Sequence, residues 1–124
     1  MYPPVFRIAT ASTAVTNLLG APPNARVFSF GEANQSTQKP YMVWQLVSGH
    51  PENYLGCKPD LDYMTTQIDV YASSVSSARN VAHALRDAFE DSGECYIVAW
   101  RGEMKEANTN LCRISFDVDW IVER

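Results

Sequence analysis

Apolar and polar positions alternate most regularly near the end of the chain. Cys112, Ile114, Phe116, Val118, Trp120 and Val122 share one side, and Arg113, Ser115, Asp117 and Asp119 the other, as a strand buried on one face requires. The same period of two runs from Asp62, where Met64, Thr66, Ile68, Val70 and Ala72 oppose Tyr63, Thr65, Gln67, Asp69 and Tyr71. Two stretches instead show helical spacing. Val5, Ile8, Ser12, Val15, Leu18 and Leu19 predict a first helix over residues 4–19, with Pro4 suited to its first turn and Gly20 to its end. Val75, Ala78, Val81, Ala82, Leu85 and Phe89 predict a second over 75–91, with Ser73-Ser74 as cap and Asp91-Ser92-Gly93 as terminator.

The intervening segments supply shorter strands and their connections. Residues 26–30 predict a short strand, 31–39 a polar loop, and Tyr41 to Val47 a strand that ends at Ser48-Gly49. Residues 50–60 read as a long connection with Tyr54 and Leu55 at its tip, and loops of that length usually carry function. Tyr96 to Trp100 form another strand, followed by a polar reversal over 102–110. Two hairpins separated by one helix and preceded by another give a single α+β domain over residues 1–124, a mostly antiparallel sheet of four or five strands with two helices packed on one face. The opposite face then carries Tyr63, Gln67, Asp69, Tyr71, Arg113, Asp117 and Asp119, a mixture suited to a wet contact between subunits, so a homo-oligomer is expected.

Composition narrows the classes of function. With 46% apolar and 19% charged residues in 124, the chain is an ordinary globular one. Ten Lys and Arg against 14 Asp and Glu leave a net charge of −4, which disfavours tight binding to nucleic-acid phosphates. No apolar run approaches the roughly 20 residues that cross a bilayer, and Met1-Tyr2-Pro3-Pro4 lacks the pattern of a signal peptide, so a start in the cytoplasm with no membrane partner is expected. Cys57, Cys95 and Cys112 are odd in number and irregularly spaced, which predicts reduced structural thiols.

Chemistry-bearing motifs are sparse. His83 falls beside the apolar stripe of the second helix, and His50 and Cys57 have no second ligand pair for zinc. No serine lies in a nucleophile elbow, and the six glycines never cluster into a phosphate cradle. Asp117 and Asp119 share one strand face and, with Asp69, form the one arrangement that an acid/base pair or a cation would use; a solvated or subunit-facing acidic row is the preferred explanation of them. Tyr41, Trp44, Trp100 and Trp120 sit in strands without a flanking basic patch and are read as core. No catalytic residue, cofactor or metal is assigned.

The segments Pro40 to Gly49 (PYMVWQLVSG), Gln67 to Ala72 (QIDVYA), the Ala-rich helix 78–89 and Arg113 to Trp120 (RISFDVDW), in that order over nearly the whole chain, resemble the tail-completion, or tail-terminator, proteins of long-tailed bacteriophages. The resemblance implies a structural role: a ring, commonly of six subunits, on the head-proximal end of the tail tube, ending its polymerisation and receiving the head connector. It implies as partners further copies of the chain, the tail tube protein and head connector or neck proteins, in a virion assembled in the bacterial cytoplasm. Six copies at −4 each carry −24, so DNA would slide through such a lumen without specific binding. Glu52, Asn53, Tyr54, Leu55 and Lys105 become candidates for axial contacts, and the seven open-face residues for contacts around the ring. A neighbouring head–tail joining protein, a metal-dependent enzyme using Asp69, Asp117 and Asp119, and a small dimeric cytoplasmic adaptor are the alternatives.

Overall fold

A computed structural model of the chain describes residues 2–34 and 36–124. Its elements are α1 (Val5–Ala11), α2 (Thr13–Leu19), β1 (Val27–Ser29), β2 (Tyr41–Pro51), β3 (Leu61–Ala72), α3 (Val75–Ser92), β4 (Cys95–Lys105) and β5 (Cys112–Glu123). The strands form one five-stranded sheet in the order β1-β2-β3-β5-β4. Every neighbouring pair is antiparallel except β1 with β2, so the α+β class holds and the sheet is mixed.

The core follows the alternation read from sequence. Ile68, Val70 and Ala72 of β3 and Phe116, Val118 and Trp120 of β5 are buried, and they meet Ala78, Val81, Ala82, Leu85 and Phe89 of α3 in one apolar cluster. Phe89 packs edge-on against Trp120 with ring centroids 5.8 Å apart, a favoured aromatic geometry. Thr66 is fully buried in the same row because its Oγ1 accepts a 2.9 Å hydrogen bond from Trp120 Nε1, satisfying the indole inside the core. The ends of α3 are fixed locally: the Ser74 side chain accepts from the Ser77 amide, and Gly93 closes the helix in the left-handed conformation at φ 71°.

Several expectations need correction. The predicted helix over 4–19 is two helices, because Ser12 is extended (ψ 124°) and its hydroxyl accepts from the Val15 amide, capping α2 and ending α1. The picture of two helices lying together on one face therefore changes. α3 alone lies along β3, β5 and β4, whereas α1 and α2 pack chiefly against α3, with α1 also reaching β1. β2 runs on through Gly49 to Pro51, and β4 through Gly102 to Lys105, so both neighbouring connections are shorter than predicted. Pro51 is tolerated because β1 pairs with Met42, Val43 and Trp44, leaving the rest of that side of β2 without a partner strand among the described residues. Gly102 fits because β4 bulges at Val98 and again at Arg101, and its φ of 98° suits glycine. The predicted loop over 31–39 includes Gln35, which lies outside the described residues. Trp44 is partly buried and Trp120 fully so, but Trp100 is half exposed at the sheet's margin, not core.

Candidate functional site

The strand register places the open-face residues in rows across the sheet. Tyr41, Tyr71, Arg113 and Met104 form the first row, Val43, Asp69, Ser115 and Gly102 the next, then Gln45, Gln67, Asp117 and Ala99, then Ser48, Thr65, Asp119 and Tyr96, and finally His50, Tyr63 and Ile121. All seven predicted interface residues lie on this face, yet they are not equally available. Asp69 and Asp117 are buried, and the others are partly covered.

Each carboxylate is held by its own donors. Asp69 Oδ1 accepts from Ser115 Oγ and, at 3.0 Å, from Gln67 Nε2. Asp119 Oδ1 accepts from Thr65 Oγ1 at 2.6 Å. Asp117 Oδ2 receives Arg101 Nε at 2.9 Å and Nη2 at 2.6 Å, a charge-assisted pair in which the carboxylate side chain is 5% exposed and the guanidinium 61%. Asp117 Oδ1 is buried without a hydrogen-bond partner among the described residues, which leaves its remaining charge to Arg101. At one end of the face Tyr41 and Tyr71 stack at 5.1 Å, and burial is the largest influence pushing the Tyr71 phenol above its ordinary value, against the opposing effect of Arg113. At the other end His50 stacks on Tyr63 at 5.1 Å. The face is thus a polar lattice that satisfies most of its own groups.

This arrangement bears on the acid-triad alternative. A general acid or a shared cation needs carboxylate oxygens converging on one point, whereas Asp69, Asp117 and Asp119 lie in three successive rows with different donors on each. Among the described residues no group of three or more His, Cys, Asp and Glu side chains is placed to hold a metal ion.

The predicted axial residues separate cleanly. Pro51, Asp62 and Val122 lie level at one end of the sheet, so Glu52, Asn53, Tyr54 and Leu55 project beyond that end. Leu55 is fully exposed and Tyr54 nearly half so. The connection is nevertheless tied down: the Glu52 amide donates to Leu61 O, the Arg124 amide to Asp60 O, and Tyr54 bridges to Cys57 across a tight reversal. The Glu52 carboxylate is the largest influence on the Tyr63 phenol and pushes it above its ordinary value. Lys105 belongs to the opposite end, level with Cys112 and Ala72, where residues 106–111 reverse the chain. A groove of about 640 Å³ opens there, lined by Asn34, Tyr41, Tyr71, Glu106 and Leu111 among others.

A family model, Tail completion protein gp17, matches residues 3–123. The chain belongs to this tail completion family. No curated protein matches it. Among solved structures, a chain from the virion of native gene transfer agent (GTA) particle superposes with a TM-score of 0.66 at 16% identity, over 97% of this chain and 92% of that one, a likeness of fold. As a member of the gp17 family the protein is a structural component of a phage tail. Among the described residues no helix is long and apolar enough to cross a membrane.

Sequence reasoning located the open face of this tail completion protein but missed how it is satisfied. The roles of Thr65 and Ser115 depend on strand neighbours distant in the chain. It also missed the apolar margins. Tyr96, Val98 and Trp100 on β4, and Leu46 and Val47 on β2, are all exposed. Their signal was present as a run, Tyr96-Ile97-Val98-Ala99-Trp100, with no polar position to face water.

Proposed function

We propose that this chain forms a ring, of about six copies as in the family it resembles, on the head-proximal end of a tail tube, where it ends tube polymerisation and offers the surface to which the head connector docks. The observation that carries this reading is the placement of two sets of exposed connections at opposite ends of one rigid sheet, Glu52 to Leu55 at one and Lys105 with residues 106–111 at the other. A terminator must touch two different structures along one axis, and a sheet with partner loops at both ends supplies that polarity. The acidic balance of the chain supports free passage of DNA, since a wall of like charge does not retain phosphates. Assembly in the bacterial cytoplasm and incorporation into the virion complete the reading, with no enzymatic step.

Removal of the gene, followed by electron microscopy of lysates, tests it. Tails of widely varying length without attached heads are expected, restored to one length by the wild-type gene. Headless tails of normal length would assign the chain to head–tail joining instead of capping, and complete particles would refute both.

A further inference from the structure

We propose that copies of this chain join head to tail through the two outer margins of the sheet, β4 of one copy against β2 and β1 of the next, so that the sheet continues around the ring and its polar face turns towards the lumen. This rests on the ring proposed above and names the surfaces that build it.

The margins match in four respects. First, each is an unpaired edge: among the described residues β4 has no partner strand beyond β5, and β2 has none beyond Trp44, so rows of backbone donors and acceptors are open on both. Second, both expose apolar side chains at the same height. Leu46, Thr66, Val118 and Ile97 form one row across four strands, and beside it each margin bulges at a valine, Val47 on β2 and Val98 on β4, each a little over two-fifths exposed. Third, one charge on each side complements the other: Arg101 keeps most of its guanidinium exposed despite its bond to Asp117, and Glu32, just past β1, has no cation partner among the described residues. Trp100, Phe116, Ile68, Trp44 and Ser29 share a row, so the exposed rings of Trp100 and of Phe30, one residue past Ser29, lie near one level, with Arg101 one residue beyond it on β4 and Glu32 in the turn after β1.

Fourth, direction is compatible. Three antiparallel steps separate β2 from β4, so β4 runs opposite to β2 and to β1, and a neighbour related by simple rotation presents an antiparallel edge. Such a contact uses two different patches per copy and closes into a ring, whereas β4 against β4 would stop at a dimer. Bulges on both margins increase local twist and bend, which a closing sheet needs and an open-ended stack does not. α3 decides which face is inside: it lies along β3, β5 and β4 and would be accommodated on the outside of a closed ring, leaving the lattice of Asp69, Asp117 and Asp119 facing inward.

The test is site-directed cross-linking in assembled particles. In a Cys57→Ser background, the double variant Val47→Cys/Val98→Cys is treated with an oxidant or a short bis-maleimide and run on a non-reducing gel. A ladder of covalent oligomers ending at the ring size is expected; either single variant alone should remain monomeric, and a mixture of the two should stop at dimers. Dimers from Val98→Cys alone would show a two-fold β4 contact and overturn the proposal. So would the absence of a ladder from particles carrying the double variant at normal copy number. Absence of the wild-type chain from purified particles would instead overturn the proposed function. As a second readout, Val98→Glu should leave the melting curve of the free protein unchanged and lower its incorporation into particles at least tenfold. Normal incorporation would count against the β4 contact.

Discussion

Replacing Thr66 with valine isolates one polar interaction inside the core. The two side chains have nearly the same shape, so packing against Ile68 and Val118 is preserved while the acceptor for Trp120 Nε1 disappears. Exchanging hydroxyl for methyl gains about 0.8 kcal/mol of apolar burial. Losing the hydrogen bond and stranding a buried indole N–H costs about 1 to 3 kcal/mol. The balance is a destabilisation of about 1 kcal/mol. With an unfolding entropy of about 2.1 cal/mol/K per residue over the chain, each kcal/mol shifts the midpoint by about 4 °C, so Tm should fall by about 4 °C. Thermal melts and urea titrations of wild type, Thr66→Val, Trp120→Phe and the double variant provide the measurement. In the Trp120→Phe background, which has no donor to strand, the Thr66→Val change should cost nothing or stabilise slightly. If Thr66→Val alone melts at or above the wild-type temperature, the hydroxyl does not carry the role assigned to it.

Three further outcomes are expected. Burial pushes the Cys95 thiol up to about 11, and Cys112 is buried while Cys57 is exposed, so iodoacetamide at pH 8 should modify Cys57 first, with the other two following only on unfolding, as read by timed mass spectrometry. Arg79 holds the Glu103 carboxyl, and Arg124 the Asp62 carboxyl, below their ordinary values. Their folded values therefore lie below the unfolded ones: the stabilisation is complete above the unfolded carboxyl range and lost as pH falls through the folded values. Urea midpoints should thus drop below about pH 4, and less steeply in Glu103→Gln/Asp62→Asn. Leu55→Ser, at a fully exposed loop tip, should leave Tm within about 2 °C and reduce the yield of head-attached tails; unchanged yield would remove that loop from the axial contacts.

What the sequence made legible was whatever depends on local periodicity. The alternation in β5 placed Phe116, Val118 and Trp120 correctly inside, and Ser74 and Gly93 marked both ends of α3 because caps act over three or four residues. The break at Ser12 was harder to see, since serine continues a helix in one context and caps a new one in another, and the apolar spacing passes across it unchanged. Strand ends were misplaced for a different reason. Gly49 resembles a terminator in isolation, but a Cβ there would lie 2.8 Å from Tyr63 O, so the residue permits close approach of β2 to β3. Which strand lies at a margin is a property of the sheet order, and the sheet order comes from pairings between residues far apart in the chain. That is why the open face was readable as a set of residues, while the Arg101–Asp117 pair and the exposed apolar margins were not.

The protein's position in the particle is the most direct evidence of its role. Cryo-electron microscopy of purified particles, with symmetry left unimposed around the tail axis, should resolve a closed ring of this fold between the last tube layer and the head connector, its Glu52–Leu55 loops and its Lys105 ends on opposite sides of the ring. Density for the fold at the distal tip, inside the head, or as isolated dimers beside the tube would contradict it.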